Sequence, residues 1–217
     1  MLHHRHQAFE VREITRADAK SFVAEHHYSG TMPMAVRAVY GAFIHTGPGR
    51  DLPGRLYAVA VYGYGANPNA LGAFRRLSGI RHLHRFNTVE LMRLCRLGSP
   101  GKGRLQLSAF IAGCHRQLYR KYGVRFVISY SDPEHGHDGL IYKSANFQAM
   151  GCTAPERHGV NAEGKPVHRR RWYRLQAAKG LTAAEARAAL GVRKVKSAPK
   201  NRWLIALDRR GPIEVWD

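Results

Sequence analysis

The sequence predicts an α/β fold carrying a short basic C-terminal extension, and three observations predict it. Between Val89 and Tyr130 a strand, a glycine-rich loop, an amphipathic helix and a second strand follow one another, the order of a βαβ-like unit. Ahead of that unit stand two runs rich in Val, Ala, Tyr and Phe, Val36–Ile44 and Arg55–Tyr62. After Leu175 the texture changes, and residues 151–217 hold 15 basic and 6 acidic side chains, a net +9.

Each element has a local reason. Thr15-Arg16-Ala17-Asp18 has the Ser/Thr-x-x-acid form of a helix start, and Gly30 can stop the helix that follows. Gly47-Pro48-Gly49 separates the two early strands, and Asn67-Pro68-Asn69 begins a loop-rich segment. Val89–Arg96 reads as a strand that Gly98-Ser99-Pro100-Gly101-Lys102-Gly103 ends in a loop. Leu107, Ile111, Cys114, Leu118 and Tyr122 then recur at spacings of four, three, four and four, one face of a helix that Gly123 terminates. Val124, Phe126, Ile128 and Tyr130 alternate as a strand does. Asp138 is positioned to cap a further helix that Gly151 closes. Thr182-Ala183-Ala184-Glu185 is a capping box for a short Ala-rich helix stopping at Gly191, Lys194–Lys200 reads as a basic linker, and Trp203–Leu207 as a last strand. The division expected from this texture is a catalytic domain over residues 1–178 and a basic extension over 179–217.

Composition narrows the function. Hydrophobic residues make up 44% and charged residues 23%, which suits a chain that buries a core. No apolar run approaches the roughly 18 to 20 residues of a membrane span, and Met1-Leu2-His3-His4-Arg5-His6 is no signal peptide. Cys95, Cys114 and Cys152 are odd in number and widely spaced, so a disulfide framework and a four-cysteine zinc site are excluded and a reducing cytoplasm fits. Lys+Arg 35 against Asp+Glu 15 gives +20, and 26 of the 35 bases are Arg. Solubility does not select Arg over Lys, whereas phosphate oxygens do, so nucleic acid is the leading partner. A basic ribosomal-type protein is the plainer alternative.

Several motifs carry candidate chemistry. Glycines in Gly98–Gly103 let backbone N–H groups approach an anion at a helix N-terminus, although the loop is neither a P-loop nor a dinucleotide fingerprint, and a plain turn explains it equally. Asp132-Pro133-Glu134-His135-Gly136-His137-Asp138 gathers three carboxylates and two imidazoles at a strand end. Such a run offers metal ligands or acid–base groups. A polar turn capped by Asp132 and a helix capped by Asp138 account for two of the five. His26-His27-Tyr28 ends the first helix, where imidazole complements the helix dipole, and His82-x-His84 lies in an Arg-rich stretch suited to phosphate. Cys95 and Cys114 sit on apolar patterns and read as core. Arg169-Arg170-Arg171-Trp172-Tyr173-Arg174 interleaves bases with aromatics, as a nucleic-acid surface does; the alternative is a basic edge strand with Trp172 in the core.

Taken together, Glu90-Leu91-Met92-Arg93-Leu94, Ser131-Asp132 and Leu140-Ile141-Tyr142-Lys143-Ser144-Ala145-Asn146-Phe147 resemble the Mom family of bacteriophage DNA-modification proteins. His27-Tyr28-Ser29 and Arg171-Trp172-Tyr173 match the same pattern, and the resemblance covers roughly residues 20 to 175. Mom proteins are similar in fold to the acyl-CoA N-acyltransferase (GNAT) superfamily, so it implies a GNAT-like central mixed sheet with flanking helices. One departure stands out: Gly101-x-Gly103 fits the end of the superfamily's pyrophosphate loop, but Gly98 occupies the place of its usual Arg or Gln, so Arg96 or Arg104 would supply the charge.

The activity implied by the resemblance is conversion of adenine in phage DNA to N6-carbamoylmethyladenine, which shields the DNA from host restriction. Catalytic roles fall on Asp132, Tyr142 and Ser131, and binding of acetyl-CoA or a related acyl donor on Arg96, Gly98, Gly101, Gly103, Arg104 and Ser108. Iron has been linked to the family, and by position His27, Tyr28, Asp132 and Tyr142 would be its ligands. Arg169, Arg170, Arg171, Trp172 and Tyr173 would face nucleic acid. The implied partners are double-stranded DNA with the adenine flipped out and a small-molecule donor, without a membrane, in the cytoplasm of a phage-infected or prophage-bearing cell; the oligomeric state, a homodimer included, stays open. Two other readings remain. An acyltransferase acting on a small amine or protein gains little from +20, and a non-catalytic DNA-binding protein has no use for the Asp132–Asp138 cluster or the Gly98–Gly103 loop.

Overall fold

A computed structural model describes residues 9–44, 54–65, 67, 69–98 and 105–208, in two compact units. The turn at Gly47–Gly49, Pro68 and the loop from Ser99 to Arg104 lie outside the described residues. The larger unit runs to Ser131 and takes up Gly139–Gly151 and the chain from Asn201 on; the smaller holds Asp132–Asp138 and Cys152–Lys200.

In the larger unit β1 (Phe9–Glu13) leads into α1 (Arg16–His26), whose start is the expected capping box between Thr15 and Asp18. Then come β2 (Val36–Ile44), β3 (Arg55–Gly63), α2 (Ala70–Ser78), β4 (Thr88–Arg96), α3 (Leu107–Tyr122), β5 (Phe126–Ser131), α4 (Leu140–Ser144) and β6 (Gln148–Cys152). The smaller unit contributes β7 (Arg157–Val160), β8 (Pro166–Val167), α5 (Arg170–Lys179), α6 (Ala183–Ala189) and β9 (Arg193–Lys196), and β10 (Asn201–Ala206) returns to the larger.

Seven strands form the main sheet in the order β1-β2-β3-β4-β5-β10-β6. It is mixed, because β4 and β5 run parallel while β1, β2, β3 and β4, and also β5 and β10, pair antiparallel. On one face α3 buries Phe110, Ile111, Cys114 and Leu118 against Tyr40, Tyr62, Val89 and Val127. On the other, α1 lays Ala19, Phe22 and Val23 over Val39, Val59 and Val61, and α2 with the chain after it lays Phe74, Ile80 and Leu83 over Phe126, Ile128 and Leu204. Side chains alternate along a strand. With Val89 and Leu91 on the α3 face, Glu90 between them points to the α1 and α2 face.

Three expectations are corrected. The helix from Asp138 to Gly151 is only the five residues of α4: Gly139 is its cap, Asn146 takes a left-handed φ of 63°, and Phe147 N–H closes back on Tyr142 O at 2.9 Å, so the chain turns into β6 before reaching Gly151. Part of the basic linker Lys194–Lys200 is strand β9, which pairs with β7. The division at 178/179 falls inside α5, and residues 201–206 of the expected extension pair with all six residues of β5. A strongly basic composition concealed a core strand whose Trp203 and Leu204 are buried. No helix among the described residues is long and apolar enough to cross a membrane.

Candidate active site

Between β4 and β5 the sheet opens. Parallel pairing joins only Thr88–Glu90 to Phe126–Ile128, although β4 continues to Arg96 and β5 to Ser131. A register shift opposite Val61/Tyr62 lies just beyond, at Met92, and bulges there bend the strand. Such a fork at the carboxyl ends of parallel strands is where α/β sheets accept ligands.

Tyr142 stands at the fork. Its hydroxyl lies 2.9 Å from Ser129 Oγ and donates to Tyr130 O at 3.3 Å. Ser129 has one proton and two acceptors in reach, Tyr142 Oη and Leu91 O, the latter also at 2.9 Å. Burial pushes the phenol's pKa upward, the Ser129 hydrogen bond works against this, and the negative charge of Glu90 adds to the rise. Tyr142 is therefore a neutral phenol that can give up a proton, with Ser129 placed to steady the oxygen left behind. Its ring stacks on Trp203, whose Nε1–H donates to Ser131 Oγ at 3.0 Å. Asn201 Nδ2 donates to the same oxygen at 3.3 Å, so Ser131, expected to be catalytic, faces β10 and positions Trp203.

From the other face come Glu90 and the chain after α1. His27 Nδ1 accepts the Ser29 N–H, and its ring stacks on Tyr28, which is 57% exposed. Arg93 on β4 donates to Thr31 O at 3.0 Å and ties this segment to the sheet. The carboxylate of Glu90 packs where a side chain on Gly65 would stand, a Cβ there meeting Glu90 Oε2 at 2.2 Å. Sequence reasoning passed over Glu90 as a functional residue, yet a signal existed. It is the lone acid between Asp51 and Asp132, among thirteen Lys and Arg.

Asp132 belongs to the smaller unit. Its Oδ1 accepts Glu134 N–H at 3.1 Å, so it caps the turn Pro133–His135, and its Oδ2 pairs with Lys200 Nζ at 3.1 Å. Of the ligand set expected for iron, Tyr142 is buried with its hydroxyl hydrogen-bonded to Ser129 and Tyr130, Asp132 caps a turn and pairs with Lys200, and His27 Nδ1 accepts the Ser29 N–H. Among the described residues no group of three or more His, Cys, Asp or Glu could hold a metal ion.

Of the expected cofactor residues, Arg96 ends β4, Gly98 has a φ of +67°, and half-buried Ser108 lies in the first turn of α3. No side chain caps that turn and no acid lies in it, which leaves a helix N-terminus suited to an anion. Gly101, Gly103 and Arg104 lie outside the described residues. The expected nucleic-acid stretch is helical: Arg169 caps α5, and Arg170, Arg171 and a 51%-exposed Tyr173 face outward. Trp172 is only 7% exposed, packed with Ala186 and Val192 as the core of the smaller unit, and so is withdrawn from stacking on a base.

A seven-stranded mixed sheet forked between β4 and β5, with helices on both faces and a tyrosine helix after the fork, is the fold of the GNAT acyltransferases. The chain belongs to the Mom protein family, whose sequence model matches residues 8–211. Among solved structures it is similar to Arabidopsis thaliana NAA60 in complex with acetyl-CoA, at 11% identity and a TM-score of 0.50 over 92% of this chain and 98% of that one. It is also similar to the Vibrio cholerae spermidine N-acetyltransferase in complex with CoA and spermine, at 8% identity and a TM-score of 0.45 over 92% and 95%. Comparison with curated proteins gives no match.

Proposed function

We propose that this chain is a DNA-modifying transferase that converts adenine in duplex DNA to N6-carbamoylmethyladenine and so protects phage DNA from restriction. The observation that carries the reading is the Tyr142 hydroxyl at the β4–β5 fork, a proton donor on one side of the sheet, with Glu90 on the other. Family membership and the +20 charge support DNA as the substrate.

The donor binds as acetyl-CoA or a related thioester. Its extended arm runs along the edge of β4 beyond Glu90, and its pyrophosphate meets the α3 N-terminus with Arg96, Ser108 and the loop of Gly98, Gly101, Gly103 and Arg104. The NAA60 structure, which holds acetyl-CoA, supports this choice. The target nitrogen lies inside the duplex stack, so the adenine is extruded at a cost of a few kcal/mol and received on the Tyr28 ring that His27 backs. Glu90 takes the proton that N6 loses, and Tyr142 returns one to the leaving group while Ser129 turns its own proton toward the phenolate. The product joins N6 to a CH2 carbon bearing a carboxamide. Thioester electrophilicity alone does not make that bond, so acetyl-CoA itself does not suffice and the donor is a derivative whose CH2 carbon bears both the carboxamide and a leaving group. The N6–CH2 bond forms as the bond from CH2 to that group breaks, and the group departs with the proton from Tyr142. Arg169, Arg170, Arg171 and Tyr173 add backbone contacts. Three free thiols, Cys95, Cys114 and Cys152, suit a cytoplasmic setting in a phage-infected or prophage-bearing cell.

The test is to express the chain in a bacterium, digest the purified DNA and analyse its nucleosides by mass spectrometry. A carbamoylmethyl adduct on deoxyadenosine is the expected result. Unmodified DNA alongside acylated small amines would move the assignment to a small-amine acyltransferase.

A further inference from the structure

On the α1 and α2 face the chain from α2 to β4 builds a surface that the proposed chemistry does not use. From Asp51 to Glu90 there is no acid, whereas five arginines occur, and Arg75, Arg76, Arg81 and Arg85 are all exposed. At the tip stands Phe86, 72% exposed, its ring covered on one side by the Arg85 guanidinium 4.7 Å from the centroid.

An exposed phenylalanine on a floppy loop would mean little, but this turn is locked. Asn87 is buried; its Oδ1 accepts His84 N–H at 3.0 Å, its Nδ2 donates to His82 O at 2.9 Å, and its N–H donates to His84 O at 3.1 Å. Its carbonyl accepts Arg125 and Phe126 N–H at 2.8 and 3.0 Å, fastening the turn to the start of β5. Buried Ile80 and Leu83 anchor the base. The fold thus fixes an apolar ring outward beside the Arg85 guanidinium, on a stretch of chain whose other exposed arginines are Arg75, Arg76 and Arg81.

We propose that α2 and the turn Arg81–Asn87 form the duplex-binding face, with Phe86 the wedge that enters the base stack. The inference rests on the DNA reading above and adds where the duplex is held. Arginines suit phosphate oxygens, and an apolar side chain driven between base steps unstacks and kinks a duplex. Glu90 follows Phe86 by four positions, at most about 14 Å of extended chain. A step opened by the wedge therefore lies near the residue that takes the N6 proton, on the same face of the sheet, and lowers the cost of extruding the adenine.

The test combines fluorescence anisotropy over a salt series with energy transfer between dyes at the two ends of a short duplex. The variants are Phe86→Ala, Phe86→Leu and the triple Arg75→Ala/Arg81→Ala/Arg85→Ala, with thermal melts to show that these exposed positions leave the fold intact. Phe86→Ala should bind about tenfold more weakly with an unchanged salt slope and leave the duplex straight, and Phe86→Leu should keep most of the bend. The triple variant should reduce the salt slope by about 3. Parental affinity and bending in Phe86→Ala, or a parental slope in the triple variant, would overturn the proposal while leaving the DNA reading in place. So would a Phe86→Ala protein that binds DNA normally but has lost a dimer, which would make the tip a contact between copies. A parent that binds no duplex at all would overturn both.

Discussion

Trp203 lies flat against Tyr142, the ring centroids 5.5 Å apart and the planes 17° from parallel. The pair joins β10, near the end of the described chain, to the helix after the fork, and its tightness is set by a glycine. At Gly139, which adopts a φ of +88°, a Cβ would stand 2.1 Å from Trp203 Cζ2.

Gly139→Ala should therefore destabilise the fold by about 2–4 kcal/mol, the sum of a left-handed alanine and an overpacked indole. Gly136→Ala, with a φ of +71° and nothing within 4 Å of the new carbon, should cost only about 1 kcal/mol. Denaturant unfolding of the two variants measures the difference, and equal losses would show that the indole yields freely.

Tyr40 offers a stabilising change. It is fully buried, its hydroxyl has no hydrogen-bond partner among the described residues, and burial raises its pKa above that of a free phenol. Tyr40→Phe should raise stability by about 1 kcal/mol near neutrality by removing an unsatisfied polar atom. A group whose pKa is raised in the fold contributes its stability below the unfolded value, about 10, and loses it as pH climbs toward the folded one. The parent should therefore lose stability above pH about 10 more steeply than Tyr40→Phe, as thermal melts at pH 8 and pH 11 would show.

His115 governs the acid side. Burial against Tyr62 and Phe147 pushes its pKa down to about 3. The sign is opposite to that of Tyr40: stability is fully present above the unfolded value of about 6.5 and is lost as pH falls from there toward 3. His115→Phe should flatten the fall in melting temperature between pH 6.5 and pH 4. An unchanged slope would mean that carboxylates, not this imidazole, set the acid limit.

The α/β order was legible because its signals are local. The cap at Thr15, the spacing of Leu107 to Tyr122 and the glycine stop at 123 each act within a few residues, and all three stand in the structure. What escaped depends on distant pairing. Trp203 joins the main sheet through β5, about seventy residues earlier, which no local pattern shows. Arg169–Arg174 reads as a surface by composition, yet three-residue helical spacing turns Trp172 inward while its neighbours face outward. At the site, Tyr142 was found from its motif, whereas its partners Ser129 and Leu91 become visible only once β4 and β5 lie side by side. Glu90 is legible without the fold, because a lone carboxylate in so basic a stretch demands a reason.

If Tyr142 gives up a proton and Glu90 accepts one in the proposed adenine modification, both side chains are required for product. The most direct measurement is the amount of carbamoylmethyl adduct per deoxyadenosine in DNA from cells making equal soluble amounts of parent, Tyr142→Phe and Glu90→Gln. Tyr142→Phe keeps the stack on Trp203, and Ser129 keeps Leu91 O as an acceptor, so stability should change by no more than about 1 kcal/mol. Adduct formation should fall by about 10²–10⁴-fold in each variant, the usual worth of a positioned acid or base. Parental adduct levels from both variants would contradict the account.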